Sequence, residues 1–298
     1  MKLSVIVPCF NETGVIQQFY EELSKTLKGK KITHEIIIVD DGSLDDSGSK
    51  IKEISKNDKM VKSITFSKNF GKEAAMYAGL EHAKGEYVAI IDADLQQKPE
   101  VLVEMYEKLL ENKEYDSVAA YRESYSDESK LKRALTAVFY KIMNNISSVK
   151  LLPGASDFRV FKASVKDAIL SLKEHKRFLK GIFSWIGFNT IYVPYSPEKR
   201  VYGKSKWSIT VLINYALGGI VSFSTKPLKY VLIASIIVSV IGVLNFILFG
   251  NLGFRMIILI LSLIMLSFGV ISLYIIRIYD NTLNRPLYII KEKSGFDK

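Results

Sequence analysis

Two carboxylates one residue apart, Asp92 and Asp94, close a run of apolar residues, Tyr87 to Ile91, with the pattern of a strand buried on both faces. Like charges this close repel unless a cation sits between them. Hard divalent ions take carboxylate oxygens, and Mg2+ is usually shared between one or two carboxylates and a substrate's phosphates. Asp92 and Asp94 are therefore candidate metal ligands, for Mg2+ or Mn2+, which both accept oxygen donors. The plainer alternative is that Asp92 ends the strand and Asp94 opens the turn before Pro99. Two more strand-like runs end in acids: Lys2 to Pro8 is followed by Asn11-Glu12, and His34 to Asp40 runs into Asp41. Three acidic strand ends on one rim form a site.

The elements that must position these residues alternate along the first 121 positions. Strands are expected at Lys2 to Pro8, His34 to Asp40, Val61 to Phe66, Tyr87 to Ile91 and Asp116 to Tyr121. Helices are expected between them, at Val15 to Leu27, Asp46 to Ser55, Lys72 to Ala83 and Glu100 to Glu111, with Pro99 suited to the first turn of the last. Such alternation predicts a mostly parallel sheet with helices on both faces, whose ligands sit beyond the carboxyl ends of the strands. Beyond Tyr121 the pattern loosens, leaving helices at Lys130 to Ile146, Phe178 to Phe183 and Ser205 to Ser222.

The tail is of another kind. Tyr230 to Phe254 carries no charge, nor does Met256 to Ile276, and roughly 20 apolar residues cross a bilayer's hydrocarbon. Two membrane-spanning helices are expected, joined at Gly250-Asn251-Leu252-Gly253. Arg200, Lys204, Lys206, Lys226 and Lys229 precede them, and Arg277, Arg285, Lys291, Lys293 and Lys298 follow. Basic flanks on both sides predict a multi-pass protein of the inner (plasma) membrane, with its N-terminal domain and both termini cytoplasmic. The start, Met1-Lys2-Leu3-Ser4, runs straight into a strand with no signal peptide. Ser205 to Ser222, with Lys206, Trp207 and Tyr215 among apolar residues, reads as a helix lying in the membrane interface.

Several chemistries are disfavoured. The formal charge of +10 clusters at the membrane boundary, where anionic headgroups are nearer partners than nucleic acid. There is no G-x-G-x-x-G, and Gly203-Lys204-Ser205 lacks the glycine a phosphate loop needs at Glu198. His34, His82 and His175 are isolated, so neither a zinc site nor a Ser-His hydrolase is indicated. One cysteine, Cys9, excludes an internal disulfide.

Seven motifs in order carry a resemblance: Val7-Pro8-Cys9-Phe10-Asn11-Glu12; Val39-Asp40-Asp41-Gly42-Ser43; Ser67 to Ala75; Asp92-Ala93-Asp94-Leu95-Gln96; Ser156-Asp157-Phe158-Arg159; Tyr202 to Trp207; and Ser222-Phe223-Ser224-Thr225-Lys226-Pro227-Leu228. Together with two terminal spans, the sequence resembles glycosyltransferase family 2 enzymes of the GT-A fold, closest to the bacterial polyprenyl-phosphate (bactoprenol) glucosyltransferases and the dolichol-phosphate mannose synthases. The resemblance implies a Rossmann-like α/β catalytic domain over residues 1–204, an interfacial segment at 205–229, a transmembrane hairpin at 230–279 and a tail at 280–298. It implies inverting transfer of a hexose, glucose from UDP-glucose as the leading donor, to polyprenyl (undecaprenyl) phosphate in cell-envelope glycosylation. Pro8, Asn11, Glu12, Asp40 and Asp41 would hold the nucleoside. Asn69 and Lys72 would lie near the nucleotide-sugar, and Asp92, Ala93, Asp94 and Gln96 near its diphosphate and metal. Asp157 matches the position of the catalytic base, yet a phosphate monoester is largely dianionic at neutral pH and hardly needs one. Asp157 could instead position the acceptor or Arg159.

Arg122, Arg133 and Arg200, with Ser205, are candidates to hold the lipid phosphate, because guanidinium forks match phosphate oxygens in pairs. Two positions depart from the family. The metal motif usually continues Gln-Asp-Pro-Pro-Glu and here reads Gln96-Gln97-Lys98-Pro99-Glu100; an expected Arg-x-x-Arg has Tyr125 as its second member. A processive polysaccharide synthase is the first alternative, but no Gln-x-x-Arg-Trp is present and two helices are too few to line a channel. A silent scaffold that binds nucleotide-sugar is the second. Oligomeric state, homo-oligomer included, stays open.

Overall fold

The first three strands and the fourth form the parallel centre of the sheet: β1 (Leu3–Cys9), β2 (His34–Asp40), β3 (Val61–Phe66) and β4 (Tyr87–Ile90). Helices α1 (Ile16–Gly29), α2 (Ser47–Asn57) and α3 (Lys72–His82) connect them, and α4 (Pro99–Glu111) follows β4. The computed structural model describes residues 2–123, 130–172, 174, 177–198, 209–249 and 254–296. Every expected element up to α4 is present, within a residue or two of its expected ends. Strand alternation explains why: Val5, Val7, Ile36 and Ile38 pack against α1, α2 and α4, while Ile6, Ile37, Val39 and Ile90 pack against α3.

The second half departs from the parallel expectation. After β5 (Ser117–Arg122) and α5 (Lys130–Ile146) the chain forms β6 (Ala155–Lys162), then α6 (Ala163–Ser171), α7 (Leu179–Trp185) and β7 (Thr190–Tyr195). The strand order is β7-β5-β6-β4-β1-β2-β3, with an eighth strand beside β3. β6 runs antiparallel to both β4 and β5, whereas β5 and β7 are parallel. The sheet is mixed, with its mostly parallel ladder interrupted where β6 enters.

The C-terminal part is built from α8 (Ile209–Phe223), α9 (Lys226–Phe249) and α10 (Phe254–Thr282). Among the described residues one helix, Ile260–Thr282, is long and apolar enough to cross a membrane; Ala216–Phe223 and Lys226–Ile241 pass that test together but are bent by 83°. The expected second span lies within α10. The expected first span starts in α9 but continues into residues 250–253, which, like the turn proposed there, lie outside the described residues. α9 and α10 meet at Ser235 and Ser267, whose hydroxyls are 3.5 Å apart, and expose many large apolar side chains, among them Leu232, Ile236, Met265 and Phe268. The Ser222-to-Leu228 motif is the joint: Ser224 Oγ donates to Ile146 O of α5 at 2.6 Å, and the Tyr274 hydroxyl of α10 donates to Ser224 O at 2.6 Å.

Residues 290–294 were expected within a tail. They form instead β8 (Ile290–Ser294), the antiparallel neighbour of β3. Just before it, Tyr288 stacks on Phe66 with ring centroids 4.8 Å apart, and its hydroxyl bonds Glu81. Stacked aromatic pairs contribute about 0.5–1.5 kcal/mol beyond the area they bury. Tyr288→Ala is expected to destabilise the catalytic sheet by about 2–3 kcal/mol, and Tyr288→Phe, which keeps the ring, by less. Thermal unfolding of the purified variants checks both; equal losses would show that the hydroxyl, and not the stacked ring, secures β8.

Candidate active site

Register brings the carboxylates together. β4 and β6 pair antiparallel from Tyr87↔Lys162 to Ile90↔Arg159, and two residues further on the same register sets Asp92 opposite Asp157. Both then project to the side where Ile90 and Phe161 pack against α3 and α7. The cation between them is a lysine. Lys72, first residue of α3, lies 2.7 Å from one Asp92 oxygen, 2.8 Å from the other, and 3.4 Å from Asp157 Oδ2. Burial works against its ammonium, but the two carboxylates outweigh that and hold its pKa well above the usual lysine value. Burial also raises the Asp92 pKa, opposed by Lys72. For Asp157 burial acts in the same direction, yet Lys72, Lys180 and Arg159 prevail and keep it below the usual carboxylate range. Asp157 is thus a charged, weakly basic group, and its Oδ1 has no hydrogen-bond partner.

Lys72 is aimed by β2. Asp41 accepts from Phe70 N at 2.7 Å, from Gly71 N at 2.9 Å and from Asn69 Nδ2 at 3.0 Å, so the three residues before Lys72 hang on one carboxylate. Gly42 permits this: its φ is +67°, and a Cβ there would lie 2.3 Å from the Lys68 carbonyl carbon. Asp40 accepts from Ser43 N at 3.0 Å. Both side chains, expected to hold a nucleoside, are buried and engaged by protein N–H groups. Asn11, at φ +52°, accepts from Leu44 N, and Glu12 anchors its own backbone N–H to Ser47 Oγ at 2.8 Å. Pro8 and Ala93 are buried, Ala93 within the core. Their expected place in the nucleotide-sugar site would be through the backbone.

Asp94 and Gln96 flank Leu95, held at φ +60°. A non-glycine residue there is uncommon and stores about 1–3 kcal/mol, a feature of functional turns. Gln96 N donates to Asp94 Oδ1 at 3.2 Å, and Gln96 exchanges hydrogen bonds of 3.0 and 3.2 Å with the Glu198 backbone. Gln97, where the family carries an acid, accepts from Asp92 N at 2.9 Å and donates to Asp92 Oδ2 at 3.2 Å. The amide therefore buttresses Asp92 without adding a third negative charge. The rim suits a hard cation: Asp92 and Asp94 offer carboxylate oxygens, and among the described residues no group of three or more His, Cys, Asp or Glu forms a closed cage. Two carboxylates completed by a diphosphate is the donor set Mg2+ favours. With Lys72 on Asp92, Asp94 is the leading candidate ligand.

The expected acceptor residues are scattered. Arg122 ends β5 near Tyr195, Arg133 is solvent-exposed on α5, and Arg200, Ser205 and Tyr125 lie outside the described residues. Two side chains that the motifs did not mark sit closer. Arg177 and Arg277 line a cavity of about 410 Å3 together with Lys72, Asp157 and, from α8, Gly218 and Ser222. Phe178 separates it from an apolar cavity of about 340 Å3 between α5, α7 and α8, where Arg159 and Lys180 are exposed to the lumen. Nothing in sequence periodicity marks these arginines, which come from a loop and an apolar helix.

The Asp41 carboxyl is pushed up to about 6, mainly by burial against the opposing N–H donors. Its folded value exceeds its usual 3.8, so the stability it contributes is full below that value and lost as pH rises through about 6. Asp41→Asn is expected to flatten the fall in unfolding temperature between about pH 4 and about pH 6.5. Thermal unfolding across that range checks it; an unchanged slope would assign the titration elsewhere.

Comparison with known proteins agrees with this architecture. The family model described as "Glycosyl transferase family 2" matches residues 4–170. A relative named SfII prophage-derived bactoprenol glucosyl transferase, from Shigella flexneri, is 38% identical over 98% of this chain and 98% of its own length. Among solved structures, mannosyl-3-phosphoglycerate synthase from Rubrobacter xylanophilus aligns with a TM-score of 0.52 at 16% identity, covering 74% of this chain and 72% of that one. A mannosyltransferase from Pyrobaculum calidifontis, solved with GDP-mannose and Mn2+, gives 0.50 at 18% identity, with 74% and 62% covered. At these identities the solved structures speak to the fold alone, which is GT-A. With its family model spanning more than half of its length and a relative this similar end to end, the chain belongs to glycosyltransferase family 2.

Proposed function

We propose that this transferase moves a hexose, glucose from UDP-glucose, onto undecaprenyl phosphate at the cytoplasmic face of the plasma membrane. The observation that carries the reading is the shared cavity: Lys72 and Asp157 line it with Ser222 of α8 and Arg277 of the apolar helix α10. A long-chain polyprenyl phosphate stays in the bilayer and presents its phosphate at headgroup depth, and this cavity runs from such a helix to the carboxylate rim. The name of the Shigella relative supports both acceptor and sugar.

The reaction forms a bond from an acceptor phosphate oxygen to the anomeric carbon and breaks the bond from that carbon to the donor diphosphate, which leaves with the electron pair. Attack opposite the leaving group inverts the carbon. The acceptor is already anionic, so no strong base is required, and the lowered Asp157 pKa fits a group that holds Lys72 and orients the acceptor. Lys72 sets a fixed positive charge beside the departing diphosphate, a preorganised electrostatic contribution. Asp94, with Asp92, would hold a divalent ion, Mg2+ or Mn2+, which supplies Lewis-acid stabilisation of the leaving group when bound.

The return of the chain from α10 to β8 supports two crossings, since both ends of an α9–α10 hairpin then lie on the side of the sheet. The 83° bend before α9 supports α8 lying along the surface that α9 enters. On this reading residues 1–204 are catalytic, 205–229 interfacial and 230–279 the hairpin, with β8 rejoining the catalytic sheet.

Membranes given labelled UDP-glucose are expected to place label in an organic-extractable lipid. Asp94→Asn is expected to lower that rate about 100-fold or more while the protein stays folded and membrane-bound. Label in an insoluble polymer would indicate a processive synthase; no transfer by the wild type to any lipid, across a panel of nucleotide-sugars, would sink the reading.

A further inference from the structure

We propose that the cavity between α3, α8 and α10 seats the phosphate of the acceptor, a phosphate monoester, with Arg177 and Arg277 as its ligands on the side away from Lys72. The inference rests on the transferase reading and adds the acceptor-binding groups to it. The lining is the first argument. Among the described residues, Lys72, Arg177 and Arg277 line the cavity with two carboxylates, Asp157 and Glu73, while Asp92 on Lys72 and Glu174 beside Arg277 stand just outside the lining. Asp157 is held by Lys72, and Glu73 accepts from Leu179 N at 3.0 Å. Two guanidinium groups at the meeting of an apolar helix and a carboxylate rim match the paired oxygens of a phosphate.

Arg177 is the second argument. It is only 9% exposed, its guanidinium donates to Ile169 O at 3.4 Å and Leu172 O at 2.5 Å, and it lies 3.8 Å over the Tyr77 ring. Those contacts fix the plane, yet Nε has no partner. A buried, charged donor left unsatisfied costs free energy that an anion in the cavity would recover.

Arg277 is the third. It follows the charge-free run Met256 to Ile276 near the C-terminal end of α10, and donates to Ser222 Oγ at 2.7 Å, with Glu174 3.6 Å away. The helix that would cross the bilayer thus delivers a guanidinium to the same chamber as Lys72. Gly218 leaves the chamber open on the α8 side, since a Cβ there would meet nothing within 4 Å.

The test is equilibrium binding of undecaprenyl phosphate to the full-length protein in detergent, with undecaprenol, inorganic phosphate and an anionic phospholipid as comparison ligands, beside the KM for each substrate in transfer. Arg277→Gln and Gly218→Leu, the second chosen because it fills the chamber without a backbone collision, are expected to weaken undecaprenyl phosphate at least ten-fold in both measurements. UDP-glucose binding and KM are expected to stay within two-fold, and Arg277→Lys to recover part of the loss. Millimolar inorganic phosphate is expected to compete in the wild type and not in Arg277→Gln, while undecaprenol binding is unchanged. Competition by the phospholipid equal to that of undecaprenyl phosphate would identify a general headgroup site and overturn the assignment. So would unaltered acceptor binding in both variants, equal losses for undecaprenol, or no wild-type binding of undecaprenyl phosphate. Wild-type protein that binds the lipid phosphate through Arg277 but transfers no sugar would refute the transferase reading and uphold the site.

Discussion

One ammonium group holds the catalytic rim together. Asp92 and Asp157 come from strands that face each other across an antiparallel register, and without Lys72 between them their charges would repel in a half-buried setting. The lysine reaches them because Asp41 grips the backbone immediately ahead of it, and Asp41 can do so because Gly42 lets the β2 turn lie against Lys68. Three strand tips and one helix start are thereby linked through side chains. A substitution at any of them is felt by the others, so the rim acts as one unit.

The parallel half of the sheet was legible because each of its strands is apolar on both faces and each connection is a helix of ordinary length. The antiparallel strands were not. β6 carries Asp157 and Arg159 on the face that enters the core, and a buried arginine stacked 3.6 Å over Phe183 reads in sequence like a surface residue. β7 contains Pro194, which argues against a strand, yet it pairs only with β5, at the sheet's edge. β8, Ile290-Lys291-Glu292-Lys293-Ser294, has the composition of a solvated tail, and only the open edge of β3 makes it a strand. Asp157 was found through family resemblance alone. Arg159 lies in the same motif, but its other partner, Lys180, emerges only when the second half of the sheet is in place.

Departures from the family pattern carry information once the geometry is known. Gln97 stands where an acid is usual and makes paired hydrogen bonds with the Asp92 backbone and carboxylate. An aspartate there would bring a further negative charge to a cluster balanced by one lysine, whereas the amide supplies both an acceptor and a donor. The joint at Ser222 to Leu228 also gains a meaning. It ties α5, α8 and α10 through Ser224, Tyr274 and Arg277, so the apolar helices and the carboxylate rim share a wall.

The eighth strand has a consequence for synthesis. Because the chain completes α9 and α10 before it reaches Ile290, the β3 edge stays unpaired until the residues beyond α10 have left the ribosome. An open edge is a template for wrong pairing. Synthesis of the apolar helices therefore comes before the final zippering of the sheet, and a ribosome that stalls between the two leaves a nascent chain with one flank unsealed.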